Sequence, residues 1–244
     1  MNPLLQKINL QWSIDIDIWN ERKMILKLAI FDFDGTLFPD ETFPLLMNHL
    51  KTHPSYQQNY RHFIAGVIPV YAAYKCKLCP EKKMKEYSMR RYLASLRSTS
   101  KEEMNQFFYE LGDTMSARLS DTVVQRLEQH RKDGYYLMLV SGAFEPLLHS
   151  VTKHISFDKI IGTSIPYNLQ SDKRVRIDPI QGYRKKEVVR EQFSNIDVDW
   201  DNSYAYGDSY LDLDVLELVG NPVAVKPDSR LSAVATDRKW EMMV

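Results

Sequence analysis

Cysteine is scarce in this chain, at two of 244 residues. A disulfide-stapled secreted scaffold is therefore not indicated, and a cytoplasmic setting is the default. No uninterrupted apolar run reaches the ~20 residues of a membrane-spanning helix. Residues 1–23 lack the compact apolar core of a signal peptide and carry Asp15, Asp17 and Glu21. Neither sign of charge prevails, with 32 basic and 32 acidic residues. Without a basic block, a nucleic-acid partner is not expected. A small anionic substrate stays compatible, because one local cluster of cations and a metal suffices. Repeats and low-complexity tracts are also missing. The 44% hydrophobic content supports a real core rather than disorder.

What is present collects around Ile30-Phe31-Asp32-Phe33-Asp34-Gly35-Thr36-Leu37. The apolar run Leu28 to Phe31 reads as a strand buried on both faces. It ends in two acids one residue apart, which point the same way on an extended chain, although the turn at Gly35 re-aims the second. In an open α/β sheet, ligands bind beyond the carboxyl ends of strands. Alone, D-x-D-G also fits solvated acids at a strand end.

Met24 stands just before the first strong strand, so the compact domain is expected to start near it, with residues 1–23 an appendage or an artefact of start-site choice. Thr42 to Leu50 reads as helix. Glu81 to Leu96 has helical spacing, and Ser100 with Glu103 forms a capping box ahead of Met104, Phe107, Phe108 and Leu111. Strand patterns are few from Pro54 to Arg118, which predicts an all-helical insert. Ser120 is expected to cap a helix through His130 that buries Val123, Val124 and Leu127. Strands follow at Tyr135 to Val140, Ile160-Ile161, Ser203 to Tyr206 and Val223 to Val225. Helices are expected from Glu145, from Gly182 to Phe193, over Leu211 to Leu218 and from Ser229 to Trp240. Such alternation implies a largely parallel sheet covered on both faces. Asp172-Lys173-Arg174 reads as a solvated turn.

Three strand ends carry polar groups: Asp32 and Asp34, Ser141-Gly142, and Asp208. Strand termini need no such residues for packing, and in a parallel sheet these ends share one edge. With Lys185 they suit phosphoryl transfer. Carboxylates hold Mg²⁺, a hard cation that prefers oxygen. Asp32 would attack phosphorus. Asp34 would protonate the leaving oxygen and then activate water, with its carbonyl able to face the metal. Ser141 and neighbouring backbone N–H groups would hold phosphate oxygens, balanced by Lys185 or, if the helix is rotated by one residue, Lys186.

These motifs resemble the haloacid dehalogenase superfamily, in its phosphoserine-phosphatase-like subgroup. Asp32-Phe33-Asp34-Gly35-Thr36 is similar to its first motif and Leu139-Val140-Ser141-Gly142-Ala143-Phe144 to its second. Lys185 with Val188-Val189 resembles the third, and Gly207-Asp208-Ser209-Tyr210-Leu211-Asp212 the fourth. The resemblance implies an α/β fold: a Rossmann-like parallel sheet flanked by helices, with an inserted all-helical cap. The core would span 24–42 and 119–244, and the cap 43–118. It also implies a Mg²⁺-dependent phosphatase, with metal held by Asp32, the Asp34 carbonyl and Asp208. Ser141, Gly142 and Lys185 would bind phosphate, and Thr36 and Asp212 would support the site. An acid at Asp34 favours a phosphatase or phosphomutase over a dehalogenase or a P-type ATPase. The tail Gly220 to Val225, with Pro227-Asp228 and Trp240, resembles a branch that includes lipid- and amino-acid-phosphate hydrolases.

Two departures bear on substrate. Leu211 stands where many relatives carry asparagine. The cap arginine that meets a substrate carboxylate has only Arg90 and Arg91 as shifted counterparts, with Tyr92 in its place. Glu41 matches the glutamate that contacts a substrate amine, so the resemblance leaves an amine-bearing phosphate open and supports a carboxylate-bearing one less. Cys76-Lys77-Leu78-Cys79, with His49 and His53, could hold zinc or act in redox chemistry, or be ordinary cap residues. Phe63 to Tyr74, interrupted by Pro69, could meet a lipid or simply pack. A lipid-phosphate phosphatase, a phosphotransferase or phosphomutase, and a catalytically silent, ligand-binding relative are the functional alternatives.

Overall fold

The computed structural model describes residues 25–166 and 176–244. The expectations for residues 1–23, Met24 and Asp172-Lys173-Arg174 lie outside them. The strands are β1 (Leu28–Phe31), β2 (Tyr136–Phe144), β3 (Lys159–Thr163), β4 (Tyr204–Gly207), β5 (Asn221–Val225) and β6 (Glu241–Met243). All pair in parallel, in the order β3-β2-β1-β4-β5-β6. The chain leaves β1 toward β2 and β3, then returns to its other side for β4. This reversal beside β1 is the crevice where open α/β sheets bind ligands.

β1 is buried at every residue. Ala29 and Phe31 join the apolar cluster on one face, Leu28 and Ile30 the cluster on the other. The register sets Phe31 opposite Leu139 of β2 and Tyr206 of β4. The polar residues just beyond these three positions therefore share one sheet edge.

Between β1 and β2 run α1 (Thr42–Thr52), α2 (Gln57–Lys75), α3 (Glu81–Ser95), α4 (Lys101–Ser116) and α5 (Asp121–Lys132). Their apolar stripes join the cluster that covers Phe31: Leu46, Phe63, Tyr92, Phe107, Phe108 and Leu127 are all buried there. Burying one such side chain contributes roughly 1.5–3 kcal/mol. The Ser100–Glu103 capping box forms in both directions. Ser120 precedes α5, but its hydroxyl meets Thr122 Oγ1 rather than a helix N–H. Its own N–H donates to the Leu37 carbonyl at 2.9 Å, which brings the exit of the helical segment back beside its start. Val123 and Leu127 are buried, while Val124 is only half-buried.

After β2 come α6 (Glu145–Val151), α7 (Tyr183–Gln192), α8 (Leu213–Leu216) and α9 (Ser229–Arg238). α7, α8 and α9 cover the sheet face opposite α5 and α6. Several boundaries differ from the sequence reading. β2 continues through Ser141-Gly142 to Phe144, with a register shift against β3 between Val140 and Phe144. α2 runs unbroken through Pro69, which is exposed, so water can satisfy a carbonyl that the ring leaves unbonded. A 3-10 turn at Tyr210–Asp212 replaces the first turn expected of α8. α9 ends at Arg238, and a left-handed Lys239 leads into β6.

A second polar pair is buried away from the sheet edge. His130 Nε2 lies 2.6 Å from Tyr206 Oη, walled by the rings of Phe31, Tyr135 and Tyr204. Burial, followed by the nearby Arg126 charge, lowers the imidazole pKa to about 4. No helix among the described residues is long and apolar enough to cross a membrane.

Candidate active site

Asp32 is the first residue beyond β1, and its N–H still donates to the Tyr206 carbonyl at 2.9 Å. The chain then turns at Gly35, whose φ is +75°. A Cβ at Gly35 would sit 2.2 Å from Asp208 Oδ2. Glycine thus serves the turn and also the close approach of the β4 loop.

Lys185, in the first turn of α7, is buried at 6% exposure. Its Nζ donates to Asp32 Oδ1 at 2.6 Å and to Asp212 Oδ1 at 2.6 Å. Burial alone would lower its pKa, but the Asp212 and Asp32 charges outweigh burial and keep the ammonium protonated. The other Asp212 oxygen accepts from the Ser209 N–H and hydroxyl at 3.2 and 3.0 Å. Asp34 is held at the start of α1. Thr42 N–H donates to its Oδ1 at 3.1 Å and Thr42 Oγ1 to its Oδ2 at 3.0 Å.

The carboxylates are crowded. Burial and the Asp212 charge raise Asp32 to about 7 despite Lys185. Burial, then Asp32 and Glu41, raises Asp34 to about 8. Burial, then Asp32 and Asp212, raises Asp208 to about 8. Oxygens of Asp32, Asp208 and Asp212 lie within 4.8 Å of one another. Buried like charges supplied with hard oxygen donors fit a divalent cation such as Mg²⁺. The sequence reading named Asp32, the Asp34 carbonyl and Asp208 as the ligand set; the carboxylate grouping also includes Asp212.

A cavity of about 560 Å³ opens over these groups, lined by Asp32, Asp34, Ser141, Gly142, Lys185 and Asp208. Ser141 Oγ accepts from the Ala143 N–H at 3.1 Å, which fixes the side chain near the end of β2. Thr36 is buried, and its hydroxyl has no hydrogen-bond partner among the described residues. Glu41 lines the cavity.

Arg90 and Arg91 are not brought to the site and line neither this cavity nor its neighbour. Arg90 pairs with Glu86 on its own helix. Arg91 packs over Gly66 of α2, where a Cβ would meet its guanidinium, and reaches the His62 carbonyl at 3.5 Å. Tyr92 is fully buried and donates to the Leu46 carbonyl. Lys185, not Lys186, faces the acids. The zinc reading of the cysteines gains no geometry. Cys76 and Cys79 join no metal-ligand group among the described residues. His49 meets the Phe107 carbonyl, and His53 pairs with Glu110.

Sequence reasoning missed Thr42, Gln181, Lys85, Asp228 and Arg230. Gln181 abuts Gly142, and Lys85 and Arg230 line the cavity. Asp228 caps α9 and accepts from the Tyr210 N–H at 2.9 Å, tying together the loops after β4 and β5. An acid directly before Ser229-Arg230 was a legible helix-start signal. The pairing of Asp34 with Thr42 across the turn was not.

The chain is similar to several known proteins. A histidinol-phosphatase of Neisseria meningitidis is 27% identical over 88% of this chain and 97% of its own. A phosphoserine phosphatase of Mycobacterium tuberculosis is 26% identical over 63% of this chain and 50% of its own. A Streptomyces azureus protein named for inhibition of morphological differentiation is 27% identical over 64% of this chain, which spans 57% of it. Among solved structures, a Bordetella pertussis protein of unknown function superposes with a TM-score of 0.73 at 21% identity, covering 91% of this chain and 99% of that one. A phosphoserine phosphatase bearing a phospho-aspartyl intermediate analogue gives 0.56 at 15% identity, covering 91% and 94%. At such identities these two structures speak for the fold alone. The haloacid dehalogenase-like hydrolase model matches residues 29–217, and the chain belongs to that family.

Proposed function

We propose that the chain is a phosphatase that hydrolyses a small phosphomonoester through an aspartyl-phosphate on Asp32. The observation that carries this reading is Lys185 bridging Asp32 and Asp212, with Asp34 and Asp208 at the same sheet edge. Lys185 occupies Asp32 Oδ1, which leaves Oδ2 to attack phosphorus. The P–O bond to the alcohol breaks as the new one forms. Asp34, whose raised pKa favours the protonated form near neutral pH, gives its proton to the leaving oxygen. It then takes a proton from the water that cleaves the acyl phosphate, releasing inorganic phosphate and free Asp32. Ser141 and the Gly142 backbone would hold the phosphate oxygens, with Lys185 opposing their charge. Asp32, Asp208 and the Asp34 carbonyl, supported by Asp212 and Thr36, would hold Mg²⁺. When bound, that ion offsets the negative charge of the phosphoryl group.

Glu41 at the cavity supports an amine-bearing substrate. Arg90 and Arg91 are absent from the cavity lining, so a phosphoserine-like carboxylate would have to meet Lys82, Lys85 or Arg230 instead. The test is phosphate release from an aryl phosphate with and without Mg²⁺, for the wild type and Asp32→Asn. Metal-dependent release that Asp32→Asn abolishes, in a protein with unchanged circular dichroism, supports the reading. No metal-dependent release, or wild-type rates from the variant, overturns it.

A further inference from the structure

A second cavity, also about 560 Å³, lies among α1, α2, α3 and the end of β2. It shares Asp34, Glu41, Lys85, Gly142 and Gln181 with the cavity over the acids, so the two meet at a polar neck. Beyond that neck its character changes. Its walls include Phe43, Met47, Met84, Met89 and Phe144. Apart from the neck residues, the only polar side chains in its lining among the described residues are those of Thr42, Ser88 and Tyr71, and none of these is charged. Thr42 is already engaged by Asp34, and the Ser88 hydroxyl by Met84 Sδ.

One wall is α2. Ile64, Val67, Ile68 and Tyr71 fall at i, i+3, i+4 and i+7, and all four line the chamber. Such a stripe normally packs against another element. Here Phe63 is the only fully buried residue in the whole of α2. Ile68 is 58% exposed and Tyr71 47%, so the chamber reaches the surface along this stripe. Ile64 and Val67 also pack against the apolar cluster, whereas the burial of Ile68 and Tyr71 is left to whatever enters.

We infer that this chamber receives the apolar alkyl portion of the substrate's alcohol, while the phosphate sits over Asp32. The inference rests on the phosphomonoesterase reading and adds the chemistry of the leaving group. The neck fits it: Glu41 and Lys85 can meet polar atoms next to the ester, and the chain beyond them enters apolar space. Beyond Lys85 at the neck, a free carboxylate deep in the chamber would find no cation among the described residues. At about 560 Å³ the volume lies within the usual range of small-molecule sites, well beyond the needs of a serine-sized alcohol.

The test separates binding from turnover. Ethyl-, butyl- and octylphosphonate, which are not hydrolysed, are titrated calorimetrically into the full chain with Mg²⁺. The matching alkyl phosphates are assayed for phosphate release. Each added methylene is expected to tighten phosphonate binding about two- to fourfold, and kcat/KM should rise in parallel. Two variants probe the chamber: Ile68→Asp, at an exposed position that folding tolerates, and Val67→Trp, which fills the space. In each, the octyl-to-ethyl ratio is expected to fall by at least about tenfold. Chain-length-dependent binding without turnover would uphold the chamber and overturn the phosphatase. Turnover with binding and kcat/KM flat across the series would uphold the phosphatase and overturn the chamber. An octyl-to-ethyl ratio unchanged in both variants would likewise overturn the chamber.

Discussion

Thr42 holds both oxygens of Asp34, one through its backbone N–H and one through its hydroxyl. The proposed proton carrier is therefore positioned by the first turn of the helix that opens the cap. Thr42→Val is expected to lower kcat about tenfold with KM little changed, because it removes one orienting bond and keeps the other. Thr42→Ser should restore most of the loss. Steady-state kinetics on an aryl phosphate read both; an equal loss in Ser and Val would make the methyl packing, not the hydroxyl, the important contact.

Gly35→Ala is expected to cost at least about a hundredfold in kcat/KM. The new Cβ would enter the space of the Asp208 carboxylate, and the residue would be strained at φ +75°. Mg²⁺ titration followed by calorimetry should show weakened binding in the same variant. Wild-type metal affinity would mean that Asp208 can retreat without cost.

Lys185→Met is expected to destabilise the fold by about 3 kcal/mol, since it strips the shared cation from Asp32 and Asp212, both nearly buried. Urea denaturation without metal measures this independently of activity. A midpoint unchanged from wild type would show that the acids shed their charge at little cost.

The position of Lys185 was legible through the resemblance, in which Lys185 with Val188-Val189 matches the third motif; the helix pattern alone left Lys186 open. β1 was legible from the residues themselves, as an apolar run closed by two acids. Other features were set by tertiary context. β6 is three residues with no fully buried side chain, so its sequence carries no apolar pattern, and pairing to β5 alone makes it a strand. Arg90 and Arg91 lay near the right place in sequence, but helix rotation sends both away from the cavity. The chamber lies among α1, α2, α3 and the end of β2, and no local pattern distinguishes an apolar stripe that packs from one that lines space.

His130 predicts an acid sensitivity distinct from that of the acids. Its folded pKa, about 4, lies below the unfolded value near 6.5, so the unfolded chain binds the extra proton first. Stability is full above pH 6.5 and declines as pH falls toward 4, by roughly 2–3 kcal/mol. Arg126 adds to this and Asp133 opposes it. Thermal melts of the wild type against His130→Gln should converge as the pH drops from 7 to 4. Parallel curves over that window would exclude the imidazole as the source.

The hydrogen bond from Ser120 N–H to the Leu37 carbonyl has a further meaning for how this chain can vary. The helical segment leaves the sheet and comes back at nearly the same point, so the sheet experiences it as a closed loop of fixed span. The entropy of closing such a loop grows only logarithmically with its length, about 0.6 kcal/mol per doubling. The segment between those two residues can therefore change in length at little cost in chain entropy, provided that the side chains buried against Phe31's cluster, such as Tyr92 and Phe108, keep their packing. Selectivity can drift in this chain while the reacting groups stay where they are.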